Sequence, residues 1–512
     1  MINVRNQLTQ STRRVYTFYK RRVLVKNLAK IIGRTKEQER LNQLLKSNRA
    51  EFLALYGRRR IGKTYLIRNF FEETSCLFFH VTGIQDGTLK DQIEQFTKQI
   101  GITFYSGATL GACARWIDAF EILTKAIMQV PKTKKVVLFF DELPWMATKR
   151  SKLLQALDYY WNRFWVHDAR LKLIVCGSSA SWVMENIINN KGGLYNRITL
   201  AMRLEPFTLA ETKLFLKYLG VSLNHQHILE LYMVIGGIPH YLSQIQTGQS
   251  ATQAIDLLCF QKNGLLFGEF TRLFASLFQE SDVYFKICRI IAKHRYGTGQ
   301  TQLLKEGDIV SGGRTVQRLK ELEDAGFIMS FVPYGRKEKG IYYKIIDEYT
   351  LFYFYWIEPY LSALRKKDQT SGYWLSKSKT PGWKSWSGYA FEAICYKHVQ
   401  HIRTALHIDP GAEVGSWRHV AKDDDQSGAQ IDLLFDRPDD AITICEIKYN
   451  DHPFVIDAPY AKNLMNKVET YRKQTRTNKQ IFIVMIMSGG LKESVYSKEL
   501  IASQVTLDDL FV

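Results

Sequence analysis

The sequence lacks long hydrophobic runs and paired cysteines, and each shortage excludes a class of protein. No apolar run approaches the roughly 20 residues that a membrane-spanning helix needs, and the N-terminus has no compact apolar core of a secretion signal. The seven cysteines form no CxxC pair and mostly lie in apolar runs, which disfavours zinc sites and disulfides. We therefore expect a soluble cytoplasmic protein with reduced cysteines.

Acidic residues are scarce at the start of the chain. The formal net charge is +20, and residues 1–70 hold 18 Lys and Arg against three Glu. Such an excess attracts phosphate backbones, although an anionic membrane surface would satisfy it equally well. Residues 1–26 are predicted as a basic arm, and a solvated arm or a transit peptide is the alternative interpretation.

The stretch "EFLALYGRRRIGKTYLIRNFF" has the pattern of a strand, a glycine-bounded turn and a helix. It contains the motif GxxxxGK[ST], in which backbone N–H groups at a helix N-terminus bind phosphates. Lys63 is expected to reach the terminal phosphates of ATP, and Thr64 to bind Mg²⁺. The candidate nucleotide-binding residues here are Gly57, Arg58, Arg59, Arg60, Ile61, Gly62, Lys63, Thr64 and Tyr65.

Two further apolar runs end in polar residues, as an ATPase requires. "KKVVLFFDELPWM" ends a strand in Asp141, predicted to hold Mg²⁺, and in Glu142, predicted to polarise the attacking water. "LKLIVCGSSASWV" ends in Ser178, where a hydroxyl can sense the terminal phosphate, although serines at strand ends are commonly caps or turns.

These motifs together resemble the prokaryotic AAA+-related ATPases of the STAND-like archaeal group, many of which carry a C-terminal nuclease domain of the PD-(D/E)XK type. The similarity rests on "IIGRTKEQERLNQLL", "YGRRRIGKT", "LFFDELPWM", "CGSSASWV", "GGLYNRITLAMRLEPF" and "IGGIPHYL". The resemblance implies that Gly33 and Arg34 pack near the adenine. It also implies that Arg197 contacts the terminal phosphate, in cis or from a neighbouring copy in a homo-oligomer.

The middle of the chain is predicted as a helical lid over residues 206–280 and a winged helix over residues 281–365. Arg314, Arg318 and Lys320 fall on the presumed recognition helix, and Arg336, Lys337 and Lys339 on the wing. The module is expected either to bind DNA or to serve as an internal lever arm. Residues 366–386 are predicted as a connector.

The C-terminal region, residues 387–512, places Glu392 on a helix and then Asp432, Glu446 and Lys448 on strands, in the order of the PD-(D/E)XK arrangement. A divalent cation held by Asp432, Glu446 and the carbonyl of Ile447 would activate water for phosphodiester cleavage. The alternative is an ordinary surface Glu–Lys pair. Because one lysine cannot neutralise three acids in apolar surroundings, the pattern favours a metal, with Mg²⁺ expected and Mn²⁺ as the alternative.

The predicted fold is therefore α/β multidomain. It consists of a P-loop NTPase parallel sheet over residues 27–205, the helical lid, the winged helix, and a mixed α/β domain like that of restriction endonucleases. The predicted function is an ATP-hydrolysing ATPase coupled to a Mg²⁺-dependent DNA nuclease, with ATP gating access of nucleic acid. A non-nucleolytic DNA-binding regulator and a membrane-surface signalling ATPase are the alternatives.

Overall fold

The structure is a computed structural model that describes residues 31–189, 192–194, 196–335, 340–366, 372–419 and 428–512. The chain divides into two compact units. The first unit comprises residues up to Tyr56 together with Gly62–Ser178 and Trp182–Leu204, and the second comprises Gly57–Ile61, Ser179–Ser181 and Glu205–Val512. The predicted basic arm, residues 1–26, lies outside the described residues.

The first unit is built on a five-stranded parallel sheet. Its middle strands are apolar runs buried along their whole length, which is typical of a parallel sheet covered on both faces. The strands are β1 (Glu51–Tyr56), β2 (Leu77–Thr82), β3 (Val136–Asp141), β4 (Leu171–Gly177) and β5 (Leu200–Arg203). The α-helices in this part of the chain are α1 (Thr35–Lys46), α2 (Lys63–Glu72), α3 (Leu89–Phe104), α4 (Trp116–Met128), α5 (Leu143–Met146), α6 (Leu153–Arg163) and α7 (Ala180–Val183).

The strand order in this sheet is β2-β3-β4-β1-β5, with parallel pairing throughout. Strand β4 thus separates β1, which leads into the glycine-rich loop, from β3, which ends in Asp141. Because the strands are parallel, their carboxyl ends meet at one edge of the sheet. A core that includes Phe96, Phe120, Trp161 and Trp165 supports the sheet.

The second unit begins with helices and continues into a small sheet. The helices are α8 (Leu209–Tyr218), α9 (His225–Ile235), α10 (Pro239–Leu242), α11 (Ala251–Ile255), α12 (Glu269–Leu277), α13 (Ser281–Lys293), α14 (Gln300–Gly307) and α15 (Gly313–Asp324). The antiparallel sheet has the order β6-β8-β7, with β6 (Thr298–Gly299), β7 (Ile328–Phe331) and β8 (Tyr342–Ile345). The wing residues Arg336, Lys337 and Lys339 lie outside the described residues.

The region predicted as a connector is mostly helical. The helices that follow β8 are α16 (Glu348–Phe352), α17 (Leu361–Lys366), α18 (Tyr373–Lys377), α19 (Pro381–Lys397) and α20 (Val399–Ala405). Helix α19 begins at Pro381 because Thr380 caps it and proline is favoured at its first position. Trp374, Trp383 and Trp386 are buried and pack on one another, with ring centroids 5.0 and 5.1 Å apart, so the described part of this segment contributes to a core.

The last part of the second unit carries a five-stranded mixed sheet in the order β15-β13-β11-β10-β9. Strands β9, β10 and β11 pair antiparallel, whereas β11, β13 and β15 pair parallel. The strands are β9 (Glu413–His419), β10 (Ala429–Arg437), β11 (Ala441–Lys448), β13 (Gln480–Met487) and β15 (Ile501–Thr506), and β12 (Phe454–Val455) pairs separately with β14 (Leu491–Lys492). Helices α21 (Ala458–Thr475) and α22 (Val495–Leu500) complete it.

Among the described residues, the structure has no helix with the length and apolar character that crossing a bilayer requires.

Candidate functional site

The glycine-rich loop has the backbone of a phosphate cradle. Gly57, Arg60 and Gly62 have φ angles of 138°, 73° and 91°, which fold the loop sharply back before α2. Gly62 is the N-cap of α2, where a left-handed φ favours glycine. The first N–H groups of α2 have no partner within the helix, and the helix dipole favours an anion at this end.

Thr64 and Asp141, the two predicted Mg²⁺ ligands of the nucleotide site, are brought together by the fold. Thr64 lies in the first turn of α2, and its Oγ1 donates to the two carboxylate oxygens of Asp141 over 2.9 and 3.1 Å. Lys63, the first residue of α2, is buried. The sequence separates Thr64 from Asp141 widely, so this contact is a result of the strand order.

Asp141 is surrounded by hydrogen-bond donors. Its carboxylate accepts from Cys176 Sγ over 3.2 Å and from Thr82 Oγ1 over 3.4 Å, and His80 Nε2 lies 3.7 Å away. Burial raises the pKa of Asp141, but the nearby His80 ring and the hydrogen bonds from Cys176 and Thr64 outweigh it, so the pKa lies below its ordinary value. Asp141 is therefore held as a carboxylate, the form that binds a cation.

Glu142 is fixed by Ser178. The backbone N–H and the Oγ of Ser178 both donate to Glu142 Oε2, each over 2.9 Å. Glu142 itself has a left-handed φ of 52°, which turns the chain from β3 into α5. Ser178 thus holds the carboxylate predicted to polarise water, and its sensing of the terminal phosphate stays a prediction.

The other predicted nucleotide-binding residues are distributed differently. Arg58 forms a buried ion pair with Asp347, and Arg60 Nη1 lies 2.8 Å from Glu269, two contacts inside the second unit. The side chains of Arg58 and Arg60, which were predicted to bind nucleotide, are therefore each paired with a carboxylate of the protein. The remaining predicted residues are placed as follows: Ile61 and Arg34 are buried, Gly33 and Arg59 are half-buried, and Tyr65 and Arg197 are exposed.

A second cluster of acids lies in the mixed sheet, where Asp432 occupies an irregular point of β10. The pairing of β10 with β9 shifts register between Ile431 and Leu434, a bulge of the kind that redirects side chains. Asp432 accepts from Gln430 Nε2 over 3.1 Å and from the N–H of Ile447 over 3.3 Å. Ile447 thus contributes its N–H to Asp432, and the carbonyl of Ile447 as a ligand to the cation stays a prediction.

Asp432 carries an unfavourable charge. Burial, together with the neighbouring carboxylates of Glu392 and Glu446, raises the pKa of Asp432 to about 7. Within the described part of the chain, Asp432 has no ion pair within 4.0 Å, and its donors are neutral groups.

Glu446 is bonded on both of its oxygens. Oε1 lies 2.9 Å from Lys448 Nζ and accepts from Tyr460 over 2.9 Å, while Oε2 accepts from Lys467 over 2.6 Å. Burial raises the pKa of Glu446, but Lys467 and Lys448 lower it below its ordinary value. Lys467 reaches this carboxylate from α21.

Glu392 pairs with an arginine from the middle of the chain. Glu392 Oε1 accepts from Arg295 Nη2 over 2.7 Å, and Arg295 follows α13. Burial raises the pKa of Glu392 above its ordinary value, against the opposing effect of Arg295. The carboxylates thus share one open cavity of about 610 Å³ with Arg295, Lys448 and Lys467.

The charge balance at the cavity differs from the sequence-based expectation. The three acids face three positive side chains and not one, because Arg295 and Lys467 join Lys448. The described residues contain no group of three or more His, Cys, Asp or Glu arranged to hold a metal ion. The oxygen chemistry fits a divalent cation at Asp432, and at Glu446 only in exchange for a lysine contact.

Two of the arginines predicted on the recognition helix are bonded to one acid. Arg314 and Arg318 on α15 both form ion pairs with Glu280, and Lys320 is exposed. A paired arginine is a weaker contact for a phosphate backbone than a solvated one, because the existing pair must first be broken.

Comparisons with known proteins agree with the first of these two sites. Residues 31–245 match a sequence profile of an ATPase domain found predominantly in Archaea. An uncharacterized protein of Methanocaldococcus jannaschii is 25% identical over 428 residues, which cover 82% of this chain and 88% of that protein. Residues 31–245 form a P-loop ATPase domain.

Two solved structures resemble parts of the chain. A Walker-type ATPase of Pyrococcus abyssi is 19% identical, with 63% of this chain and 96% of that chain covered and a TM-score of 0.44. The ORC2 protein of Aeropyrum pernix, solved in ADPNP–ADP complexes, is 14% identical, with 66% and 96% covered and a TM-score of 0.41.

Several residues that contact the site carboxylates are not among those predicted from the sequence. In the ATPase domain, Thr82 and Cys176 lie at the carboxyl ends of β2 and β4, so a rule based on parallel strand ends could have found them. In the carboxylate cluster, Arg295 and Tyr460 belong to no sequence motif. Arg295 comes from the turn after α13, and Tyr460 lies near the start of α21.

Proposed function

We propose that the chain is an ATP-dependent enzyme in which the ATPase domain controls a Mg²⁺-dependent nuclease of the PD-(D/E)XK type acting on DNA. The observation that carries the nuclease half is the meeting of Glu392, Asp432, Glu446 and Lys448 at one cavity. These residues come from one helix and two strands in the order that the motif requires.

In the ATPase half, each side chain has a defined task. Lys63 contacts the terminal phosphates, and Thr64 and Asp141 would together hold Mg²⁺, which neutralises charge on the phosphates when bound. Glu142 orients the attacking water. Ser178 keeps Glu142 in place through the two hydrogen bonds described above, so that the carboxylate needs little reorganisation during hydrolysis.

In the nuclease half, Asp432 and Glu446 would hold the cation, and Glu392 would help to hold it or its waters. The cation when bound supplies a more acidic water and shields phosphate charge. The raised pKa of Asp432 supports this, because a buried carboxylate that bears uncompensated charge is stabilised by a cation. Lys448 would exchange its contact with Glu446 for the phosphate or the attacking water.

Residues 281–345 are proposed to act as a winged helix. Three helices and a three-stranded antiparallel sheet of order β6-β8-β7 support this assignment. The segment also supplies Arg295 to the carboxylate cavity. A segment that reaches the nuclease site is a suitable element for ATP to control access of nucleic acid.

The test is cleavage of plasmid and single-stranded DNA by the full chain with Mg²⁺ or Mn²⁺, with and without ATP. We expect cleavage that EDTA and Asp432→Ala abolish, and that Glu142→Gln alters in its ATP dependence. Asp439→Ala, which removes an exposed carboxylate from the turn after β10, is the matched control. Equal activity of wild type and Asp432→Ala under all conditions would refute the nuclease.

A second candidate function is a non-nucleolytic, ATP-switched DNA-binding regulator. The specific observation in its favour is that Glu446 is already bonded to two lysines and a tyrosine. In that case wild type binds DNA in an ATP-dependent manner and cuts none, and Asp432→Ala changes neither property.

A further inference from the structure

Arg295 stands apart from the other cations at the carboxylate cavity because of its origin. Lys448 belongs to β11 of the mixed sheet and Lys467 to α21, whereas Arg295 lies in the turn between α13 and β6. That turn is closed by a hydrogen bond from the N–H of Gly297 to the carbonyl of His294, over 2.9 Å. The arginine is therefore presented by a separate part of the second unit.

The contact of Arg295 with Glu392 is direct and partly sheltered from water. Nη2 donates to Oε1 over 2.7 Å, and the side chains of Arg295 and Glu392 are 38% and 18% exposed. A charge-assisted bond of this kind is stronger than a neutral one. While it is made, one oxygen of Glu392 is committed to a guanidinium.

The segment that presents Arg295 has further contacts with the mixed sheet and with α19. The N–H of Tyr334 donates to the carbonyl of Ser416 on the edge strand β9, over 2.9 Å. Lys344 Nζ lies 3.4 Å from the centre of the Tyr396 ring on α19, the helix that carries Glu392. These contacts join the segment that carries Arg295 to the elements around the acids.

We infer that Arg295 is a built-in competitor of the divalent cation for Glu392, and so a positioning residue that limits cation binding while its bond to Glu392 is made. This inference rests on the proposed nuclease function and names the residue through which that site is regulated. A guanidinium and a divalent cation favour the same carboxylate, and their charges repel at short distance. Binding of the cation must therefore displace Arg295 or proceed without Glu392.

The experiment measures Mn²⁺ binding to the full chain without nucleotide, by the paramagnetic resonance signal of free Mn²⁺. The relevant site is the one that Asp432→Asn removes. We expect Arg295→Gln to bind Mn²⁺ about tenfold more tightly than wild type at this site. Arg295→Lys, which keeps the charge, is expected to remain within about threefold of wild type.

Arg289→Gln is the matched control, because Arg289 lies on α13 and pairs with Glu358, which does not line the cavity. Its Mn²⁺ affinity should equal that of wild type. A thermal unfolding midpoint and ATP hydrolysis rate close to wild type confirm that each variant is folded.

Two outcomes would overturn the inference while leaving the nuclease standing. One is unchanged Mn²⁺ affinity in both Arg295 variants at a site that Asp432→Asn still removes. The other is unchanged Mn²⁺ affinity combined with weaker binding of single-stranded DNA, which would make Arg295 a substrate contact. If no variant shows a Mn²⁺ site that depends on Asp432, the proposed nuclease itself fails.

Discussion

The two acidic sites of this chain stabilise their carboxylates in opposite ways. In the ATPase domain, the nearby His80 ring and hydrogen bonds from Cys176 and Thr64 hold the pKa of Asp141 below its ordinary value despite burial. In the mixed sheet, burial and two neighbouring acids raise the pKa of Asp432 to about 7. In the first site, hydrogen-bond donors keep Asp141 charged. In the second site, the positive side chains bond the acids beside Asp432, which are Glu392 and Glu446.

This difference has a functional meaning. A carboxylate with a lowered pKa is ready to accept Mg²⁺ together with a nucleotide at any neutral pH. A site whose acids are already paired with arginine and lysine binds a cation only after a rearrangement. Asp141 is therefore already in the form that binds a cation, whereas Glu392 and Glu446 must first give up bonds to positive side chains.

The largest expected effect concerns Lys63. Replacing Lys63 with Ala should lower the ATP hydrolysis rate by about 100-fold or more, because a preorganised charge on the terminal phosphates is lost. Release of inorganic phosphate by the purified chain measures it. Arg68→Ala is the control, since Arg68 lies on the same helix and pairs with exposed Glu72, and it should retain the wild-type rate. Equal loss in both variants would contradict the assignment.

The next effect tests the two aspartates directly through stability. Folded Asp432 keeps its proton up to about pH 7, whereas the unfolded residue loses it near 3.8, so Asp432 destabilises the fold increasingly as pH rises between these values. Asp432→Asn should therefore unfold at a higher temperature than wild type at pH 8, by about 1–3 kcal/mol in unfolding free energy, with little difference at pH 4.5.

Asp141→Asn is expected to behave in the opposite way at neutral pH. The folded pKa of Asp141 is lowered, so its ionised form stabilises the fold above the unfolded pKa, and this contribution is lost as pH falls through the folded pKa. Its Asn variant should lose about 1–3 kcal/mol at pH 8. Scanning calorimetry at the two pH values measures both variants, and a shift of the same sign in both would remove the contrast.

The smallest effect concerns Ser178. Ser178→Ala keeps the backbone N–H that bonds Glu142 and removes only the hydroxyl, so ATP hydrolysis should fall about fivefold in kcat with KM unchanged. Ser179→Ala is the control at the neighbouring position. A rise in KM without loss of kcat would instead support the sensing of phosphate by Ser178.

The sequence was informative where the chemistry is local. Lys63 and Thr64 lie in one motif, and Asp141 follows an apolar run, so their positions at a helix start and a strand end could be predicted without a structure. The hydrogen bond between Thr64 and Asp141 needed only the rule that parallel strands end at one edge.

The carboxylate cavity was predictable only in part. Asp432, Glu446 and Lys448 lie on adjacent strands, and their order in sequence indicated one site. Arg295 and Lys467 reach that site from two elements that lie far apart from each other in the chain. No local sequence pattern indicates that these two side chains meet the same acids. The same holds for residues 372–386, because their tryptophans pack on one another and on aromatic residues from earlier helices.

The buried ion pair between Arg58 and Asp347 has a consequence for how the chain can vary. Losing either partner alone would strand a charge in the interior of the second unit, a change that costs about 3–5 kcal/mol, whereas exchanging both for apolar residues is far better tolerated. Substitution histories at these two positions should consequently be linked: in related chains that lack the arginine, the aspartate should also be gone.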